Sequence, residues 1–153
     1  MMHIVLYEPE IPQNTGNIAR TCVMTGSMLH LIEPLGFSLS QKEIRRAGLD
    51  YWPYLKLKVY PDYASLRAAY PGSRFFFFST RGSNYYTSVS YRPGDFLVFG
   101  RETSGLPAEI LAREKQVLRI PMVPQIPRSL NLANTVALVL YEALRQQGFP
   151  GMS

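Results

Sequence analysis

The sequence predicts an α/β protein with a mostly parallel sheet and helices on both faces. Short apolar segments alternate about six times with segments that carry helix signals, which is typical of the βα units that build a parallel sheet. The most apolar segments, such as the four phenylalanines at 75–78, show no polar alternation, which indicates strands buried on both faces. The length of 153 residues and the absence of an internal repeat fit a single domain over 1–153.

Six segments are predicted to be strands, because each is short, apolar and bounded by turn residues. The third differs from the others, since apolar and basic residues alternate along it, and this alternation is typical of a partly exposed edge strand. The predicted strands are His3–Tyr7, Leu29–Ile32, Leu55–Tyr60, Arg74–Ser79, Phe96–Phe99 and Val117–Ile120.

Capping signals predict five helices. Asn14 or Thr15 can cap the first helix, and Gly26 can end it in the left-handed conformation. The segment 85–93 is predicted to be loop with a short turn, and 148–153 to be a tail. The predicted helices cover residues 14–25, 40–48, 62–70, 107–113 and 131–147.

The charge balance favours a nucleic-acid partner. Lys and Arg number 16 against 11 Asp and Glu, the net charge is +5, and 12 of the basic residues are arginine. The planar guanidinium of arginine suits phosphate binding and base stacking better than the ammonium of lysine. Many basic proteins nevertheless bind no nucleic acid, so the charge alone leaves the partner open.

The remaining composition indicates a reducing compartment. The single cysteine, Cys22, excludes an intramolecular disulfide, and its apolar helical surroundings predict a small core residue. No signal-peptide pattern precedes the first strand and no apolar run reaches membrane-spanning length, so we expect a cytoplasmic protein without a membrane anchor. The His, Cys and carboxylate residues show no metal-ligand spacing, and we expect no metal.

Three segments with candidate ligand-binding residues each follow a predicted strand. They are Asn14–Arg20, Phe99–Pro107 and Arg119–Asn131. In open α/β sheets, ligands bind at the carboxyl ends of the strands, where such loops meet. Taken singly, each segment fits an ordinary strand-to-helix connection equally well.

The second and third segments have distinct chemistry. Gly100 and Gly105 are spaced as in a P-loop, but Leu106 and Pro107 stand where that motif needs Lys and Ser or Thr. No Gly-x-Gly-x-x-Gly follows any predicted strand, so neither a nucleoside triphosphate nor a dinucleotide is expected. The third segment is a loop stiffened by three prolines, and Ser129 or Asn131 can cap the helix that follows it.

Together the three segments resemble the ordered motifs of the SPOUT (trefoil-knot) RNA methyltransferases. The likeness covers nearly the whole chain, and the segments Ile4–Pro12 and Arg45–Tyr51 are most similar to the members that methylate the wobble ribose of tRNA. The matching motif residues are Asn14, Gly16, Asn17 and Arg20, then Phe99, Gly100, Glu102 and Gly105–Pro107, and finally Ile120–Met122 with Ser129–Asn131.

The resemblance implies a C-terminal trefoil knot, a homodimer, S-adenosyl-L-methionine as cofactor and tRNA as substrate. It implies catalytic roles for Arg20, Tyr141 and Asn14. The residues implied for cofactor binding are Phe78, Ser79, Thr80, Gly100, Glu102, Gly105, Ile120, Met122, Ser129 and Leu130. Those expected to contact RNA are Asn17, Arg45, Arg46, Arg101 and Arg128.

Two of these roles have simpler structural alternatives. A tyrosine on the apolar stripe of a helix, as Tyr141 is, more often belongs to the core. Arg45 and Arg46 also fit a solvated helix end. Since a guanidinium keeps its proton in proteins, we expect Arg20 to hold a phosphate and stabilise a developing alkoxide rather than act as a base.

The expected activity is 2′-O-methylation of the wobble nucleotide, cytidine or uridine, of tRNA. One alternative is 2′-O-methylation of another tRNA site or of rRNA. Another, from a different class, is a non-catalytic RNA-binding module, which would be expected to have lost the cofactor motifs.

Overall fold

A sheet of seven parallel strands dominates the computed structural model, which describes residues 1–40 and 50–153. The helix predicted after Ser40, with Arg45 and Arg46, lies outside the described residues. The strands are β1 (His3–Tyr7), β2 (Met28–Ile32), β3 (Lys56–Tyr60), β4 (Phe75–Phe78), β5 (Asn84–Tyr85), β6 (Phe96–Phe99) and β7 (Val117–Arg119).

Strands that are distant in the sequence are neighbours at the centre of the sheet. The order is β3-β2-β1-β6-β4-β7-β5. β1 pairs with β6 from His3 opposite Phe96 to Leu6 opposite Phe99, and β4 lies between β6 and β7. Because parallel strands end at the same edge, the carboxyl ends of β6, β4 and β7 lie side by side.

The predicted α/β class and its parallel sheet are confirmed, and the sequence prediction lacked one strand. β1 and β6 have the predicted bounds, and β3 is the edge strand expected from its basic alternation. β5 overlaps the segment predicted to be loop, and both of its residues are exposed. It forms because backbone groups on the edge of β7 are available for pairing. The backbone N–H of Tyr86, for example, donates to the carbonyl of Arg119 over 2.9 Å. The threading that would make a knot stays a prediction.

The helices divide between the two faces of the sheet. Ile18 and Cys22 pack with Val136 against one face, and Leu66 packs with Ile110 against the other. Burial confirms Cys22 as a core residue and raises the pKa of its thiol to about 12. The helices in the described residues are α1 (Pro12–Thr25), α2 (Tyr63–Ala69), α3 (Ala108–Arg113) and α4 (Leu132–Gln146).

α1 begins at least three residues earlier than predicted, because its N-cap is Ile11 and not Asn14 or Thr15. Pro12 occupies its first turn and Ile11 stands at the N-cap without a side-chain capping bond, which fits the preference of proline for that position. Asn14 and Thr15, predicted as caps, are instead buried inside the helix. Gly26 ends the helix in the left-handed conformation at φ 65°, as predicted.

The caps of two other helices agree with the sequence. The carboxylate of Asp62 accepts from the N–H of Ser65 over 2.7 Å at the start of α2. The amide oxygen of Asn131 accepts from the N–H of Asn134 over 3.2 Å at the start of α4, so Asn131 rather than Ser129 is the cap. Part of the segment predicted as a tail packs on the protein, since Met152 lies against the core.

A small polar network lies on the face of the sheet that α2 and α3 cover, beside Phe96. His30 on β2 is fully buried; its Nε2 lies 2.9 Å from Nδ1 of His3 and its Nδ1 lies 3.1 Å from the hydroxyl of Tyr60. Burial, and next the charge of His3, lower the pKa of His30 to about 3. His30 is therefore neutral in the folded protein near pH 7.

None of the helices described for residues 1–40 and 50–153 combines the length and apolarity needed to cross a bilayer.

Candidate active site

A cleft of about 540 Å³ opens at the carboxyl ends of β4, β6 and β7. It is bounded by the residues that directly follow these strands and by the start of α4. All ten residues predicted to bind the cofactor line it. Their role in binding stays a prediction, but the structure brings these parts of the sequence to one place.

The cleft has an apolar floor and a polar, open rim. The rings of Phe78 and Phe99 stack 4.8 Å apart, tilted by 13°, and both are buried. Residues 121–130, which form the proline loop, are exposed along the rim. A flat apolar floor with backbone and hydroxyl groups around it suits a planar heterocycle carrying polar substituents, and the volume is that of a small-molecule site. The residues present therefore fit S-adenosylmethionine.

Gly100 is needed by the protein's own backbone. A Cβ there would lie 2.2 Å from the carbonyl carbon of Gly105 and 2.3 Å from the nitrogen of Leu106. The turn is closed by two backbone bonds between Arg101 and Gly105, of 3.2 and 3.0 Å. The missing side chain of Gly100 therefore makes room for residues 105 and 106 of the same turn, while its role in cofactor binding stays a prediction.

Glu102 anchors the loop that leads into α1. One carboxylate oxygen accepts from the N–H of Glu10 over 2.8 Å, and the other accepts from the N–H of Ile11 over 3.2 Å. In return, the carboxylate of Glu10 accepts from the N–H and the hydroxyl of Thr103, bonds that lower its pKa. Although Glu102 lines the cleft, its carboxylate is thus already used to join the first and second motifs.

Arg101 is also engaged within the protein. Its guanidinium forms an ion pair with Glu8 at 3.0 Å, donates to the hydroxyl of Ser104 and lies 4.9 Å from the ring centroid of Tyr7. Burial, and next the hydrogen bond of Glu8, raise the pKa of Tyr7. Through these contacts, Arg101 stabilises the wall of the cleft. They do not support the direct RNA contact expected of it.

Asn14 links the first motif to the third. Its side-chain oxygen accepts from the side-chain amide of Asn131 over 3.1 Å. Asn14 is only 7% exposed, so its amide faces the protein. This position favours an orienting role over contact with the reacting atoms.

Arg20 lies outside the cleft of its own chain. Because α1 starts at Pro12, Arg20 stands about two turns into the helix, roughly 12 Å along its axis. Its side chain is exposed. Its guanidinium carbon lies 5.8 Å from the ring centroid of Tyr51, whose hydroxyl donates to the carbonyl of Gly16 over 2.9 Å.

Tyr51 is a residue of this region that the sequence did not predict as part of the site. It is 8% exposed, so it is held firmly between the core and α1. The signal that could have found it is its place at the end of the Arg45–Tyr51 segment, which resembles the corresponding segment of family members.

Three further predicted residues, Tyr141, Asn17 and Arg128, occupy the surface outside the cleft lining. Tyr141 is 42% exposed on α4, so the alternative that it is a core residue is wrong. Asn17 on α1 and Arg128 in the proline loop are exposed. In the described part of the chain, no group of three or more His, Cys, Asp or Glu is arranged to hold a metal ion.

Comparison with known families and proteins gives a consistent result. Residues 1–141 match the SpoU rRNA Methylase family. The tRNA (cytidine(34)-2'-O)-methyltransferase of Escherichia coli strain K12 is 52% identical over 153 residues, covering 99% of this chain and 97% of that protein. The protein of the same name from Methylovorus glucosotrophus strain SIP3-4 is 49% identical, covering 99% of both chains.

Solved structures agree with these relatives. A structure concerned with the 2-OH methylation of C/U34 on tRNA is 52% identical and has a TM-score of 0.91, covering 97% of each chain. The SpoU methyltransferase AviRb from Streptomyces viridochromogenes, in complex with the cofactor AdoMet, has a TM-score of 0.82 at 24% identity. It covers 95% of this chain and 57% of AviRb, and at that identity the similarity concerns the fold.

Proposed function

The chain belongs to the SpoU rRNA methylase family, and from that premise we propose that it methylates the ribose 2′-oxygen of the wobble nucleotide of tRNA. The substrate nucleotide is cytidine or uridine 34, and the methyl donor is S-adenosylmethionine. The observation that carries the proposal is the identity of about half of all positions, over nearly the full length, with relatives named for this reaction.

The cleft supplies the cofactor site in this proposal. S-adenosylmethionine brings an electrophilic methyl group, so the protein has to bind it, position the ribose and stabilise charge on the attacking oxygen. Phe78 and Phe99 belong to the apolar floor of the cleft, on which the adenine would lie. Ser129 and Leu130, at the start of α4, close the opposite side.

Arg20 is assigned the role of electrostatic stabiliser. A guanidinium beside the ribose can hold the neighbouring phosphate and stabilise negative charge that develops on the 2′-oxygen. Tyr141 is the second candidate at the reacting centre, and Asn14 orients the loops that lie between them.

The site is completed by a second protomer in this proposal. Arg20 and Tyr141 are exposed and do not line the cleft of their own chain. Leu138 and Tyr141 stand three residues apart on α4 and are 39% and 42% exposed, and the ring of Phe149 lies 6.5 Å from that of Tyr141. This apolar strip suits contact with an identical chain. A cytoplasmic location, where tRNA is found, completes the proposal.

The activity is tested by incubating the protein with S-adenosylmethionine and tRNA transcripts that carry C, U, A or G at position 34. We expect ribose methylation at nucleotide 34 of the C and U transcripts, detected by mass spectrometry of nuclease fragments. Methylation at another tRNA position or only in rRNA would replace the proposed substrate by the first alternative. Calorimetry that finds no cofactor binding would favour the RNA-binding module.

The shared site is tested by mixing two inactive variants. Arg20→Ala removes the guanidinium, and Leu130→Arg blocks the cleft. If each cleft uses Arg20 of the partner, mixed dimers regain one intact site, and statistical exchange restores about a quarter of the wild-type activity. Failure to recover activity, when sedimentation shows that mixed dimers form, would place Arg20 beside the cleft of its own chain.

A further inference from the structure

A second cleft, which we call the lateral groove, lies beside the candidate active site where α3 meets β7. Its volume is about 300 Å³. Arg81, Ala108 and Leu111 line both clefts, so the two adjoin. The residues that line the lateral groove alone are Ser83, Glu114, Lys115 and Val117.

The lateral groove carries an excess of positive charge. The side chains of Arg81 and Lys115 are exposed, and within the described residues neither forms a hydrogen bond or an ion pair. The carboxylate of Glu114, in contrast, is paired with Arg67 at 2.9 Å and accepts from the hydroxyl of Tyr63 over 2.8 Å. Both cations are therefore free to meet an anion from solution.

An aromatic side chain extends this surface along the edge of the sheet. The guanidinium carbon of Arg119 lies 5.2 Å from the ring centroid of Tyr85, and Tyr85 is 48% exposed. Arg119 points to the same side of β7 as Val117, which lines the groove. Cations beside an exposed aromatic ring are the combination that binds single-stranded RNA.

Several other arginines are already paired within the protein. Arg67, Arg74, Arg101 and Arg145 all form ion pairs with carboxylates of the chain. The cations of the lateral groove differ from them, because they are free and because Arg81 also lines the cofactor cleft. An RNA strand that enters the cofactor cleft would therefore pass close to them.

We propose that the lateral groove binds the phosphodiester backbone of the RNA substrate, with Arg81 and Lys115 as the phosphate contacts. This inference rests on the proposed function, because it assumes that an RNA strand enters the neighbouring cleft. It adds contacts that are different from Asn17 and Arg128, the exposed residues expected to contact RNA.

The decisive variant is Lys115→Gln, because Lys115 lines the lateral groove and not the cofactor cleft. We expect it to raise the Kd and KM for tRNA several-fold while kcat at saturating tRNA and the Kd for S-adenosylmethionine stay within about twofold. Removal of one phosphate contact should reduce the slope of log K against log salt by about 0.7 to 0.9. Arg81→Gln should reduce the slope similarly, and the two changes together should add.

Lys56→Gln provides the matched control. Lys56 is exposed on β3, at the opposite edge of the sheet, and its replacement removes the same charge. It should leave the affinity for tRNA and the salt slope near those of the wild type. If Lys56→Gln and Lys115→Gln weakened tRNA binding equally, the effect would come from net charge alone, and this result would overturn the proposal.

Two further outcomes would also overturn it. An unchanged salt slope in the double variant would show that no phosphate is bound there. Loss of cofactor affinity in Lys115→Gln with retained tRNA binding would assign the groove to the cofactor. tRNA binding is measured directly, without an activity assay. Failure of the wild type to methylate nucleotide 34 would therefore count against the proposed function and not against phosphate binding in the lateral groove.

Discussion

Gly100 shows how a missing side chain can shape a site. The turn over residues 100–106 folds back so closely that a methyl group at Gly100 would overlap the backbone of Gly105. This turn forms one wall of the cleft, so a change in the conformation of the turn also changes the shape of the cofactor site.

We expect Gly100→Ala to lower the free energy of unfolding by about 1–3 kcal/mol, because the added methyl forces the turn open. Cofactor affinity should fall at least tenfold in the same variant. Urea denaturation and calorimetry measure the two effects. Gly72→Ala is the control, because a Cβ there would meet no atom within 4 Å; a Gly100→Ala protein as stable as this control would contradict the expected overlap.

Arg20 and Tyr51 are expected to act as one unit. Arg20→Ala should reduce kcat by on the order of a hundredfold, as loss of a transition-state donor does, with cofactor affinity nearly unchanged. Tyr51→Leu removes the ring under the guanidinium and should reduce kcat by a smaller factor. If Tyr51 acts through Arg20, its replacement has no further effect in the Arg20→Ala background.

Steady-state kinetics of the two single variants and the double variant test this coupling. Tyr54→Leu is the control, since Tyr54 is close in sequence but 77% exposed. Additive losses in kcat for Arg20→Ala and Tyr51→Leu would show that Tyr51 contributes to stability or folding and does not position Arg20.

At the scale of elements, Asn131 combines two functions at the start of α4. It caps the helix through Asn134 and donates to the buried side chain of Asn14 on α1. The helix that follows the proline loop is thereby tied to the helix that carries Arg20.

Replacement of Asn131 should separate the cap from the tie. Asn131→Ala removes both, and we expect a loss of about 2–3 kcal/mol, from a cap of about 1 kcal/mol and a buried oxygen left without its partner. Asn131→Ser keeps a capping oxygen and should cost about 1–2 kcal/mol. Asp62→Ala, which removes the cap of α2 alone, is the reference for the cap; a loss in Asn131→Ala equal to that in Asp62→Ala, with no loss in Asn131→Ser, would mean that the tie contributes nothing.

Elements fixed by neighbouring residues could be predicted from sequence. The caps at Asp62 and Asn131, the glycine stop at Gly26 and the buried phenylalanine strand all depend on residues within a few positions. β5 could not be predicted, because its two exposed residues become a strand only through β7. The true start of α1 depends on Pro12 and on a carboxylate that lies about 90 residues away in the chain.

The same distinction applies to the site. The ten cleft residues could be named only through the resemblance to family members, and they lie together because β4, β6 and β7 end side by side in the sheet. The partners of Arg101 and Glu102 could not, since no local pattern shows that Glu8 and the N–H groups of residues 10 and 11 meet the second motif. The lateral groove has no motif, because it arises from the packing of α3 on the sheet.

At the scale of the whole molecule, the buried His30 should make stability depend on pH. Its pKa is lowered from 6.5 to about 3 on folding, so the unfolded chain binds one more proton between these values. Stability should therefore be fully present above about pH 6.5 and fall as the pH decreases towards 3, by up to about 1.4 kcal/mol per pH unit. The groups around His30 are His3, Tyr60, Tyr70, Phe96 and the charge of Lys58.

Denaturation of the wild type and of His30→Asn at pH 7.5 and 5.0 measures this effect. The variant is expected to be less stable at pH 7.5, because it no longer bonds to His3 and Tyr60, but to lose less stability than the wild type between the two pH values. His3 also has a lowered pKa, caused first by burial, and should supply the remaining slope. Identical pH dependence in both proteins would exclude His30 as its source.

The position of β1 beside β6 has a consequence for synthesis on the ribosome. After β1, β2 and β3 have emerged, the inner edge of β1 has no partner until β6, which ends at residue 99, has also emerged. β4 likewise has no partner until β6 emerges on one side and β7 on the other. An apolar strand edge that stays unpaired during synthesis favours aggregation of nascent chains. We therefore expect chaperone capture to be strongest on truncated chains that stop just before Phe96 and to decline sharply once Phe99 is included.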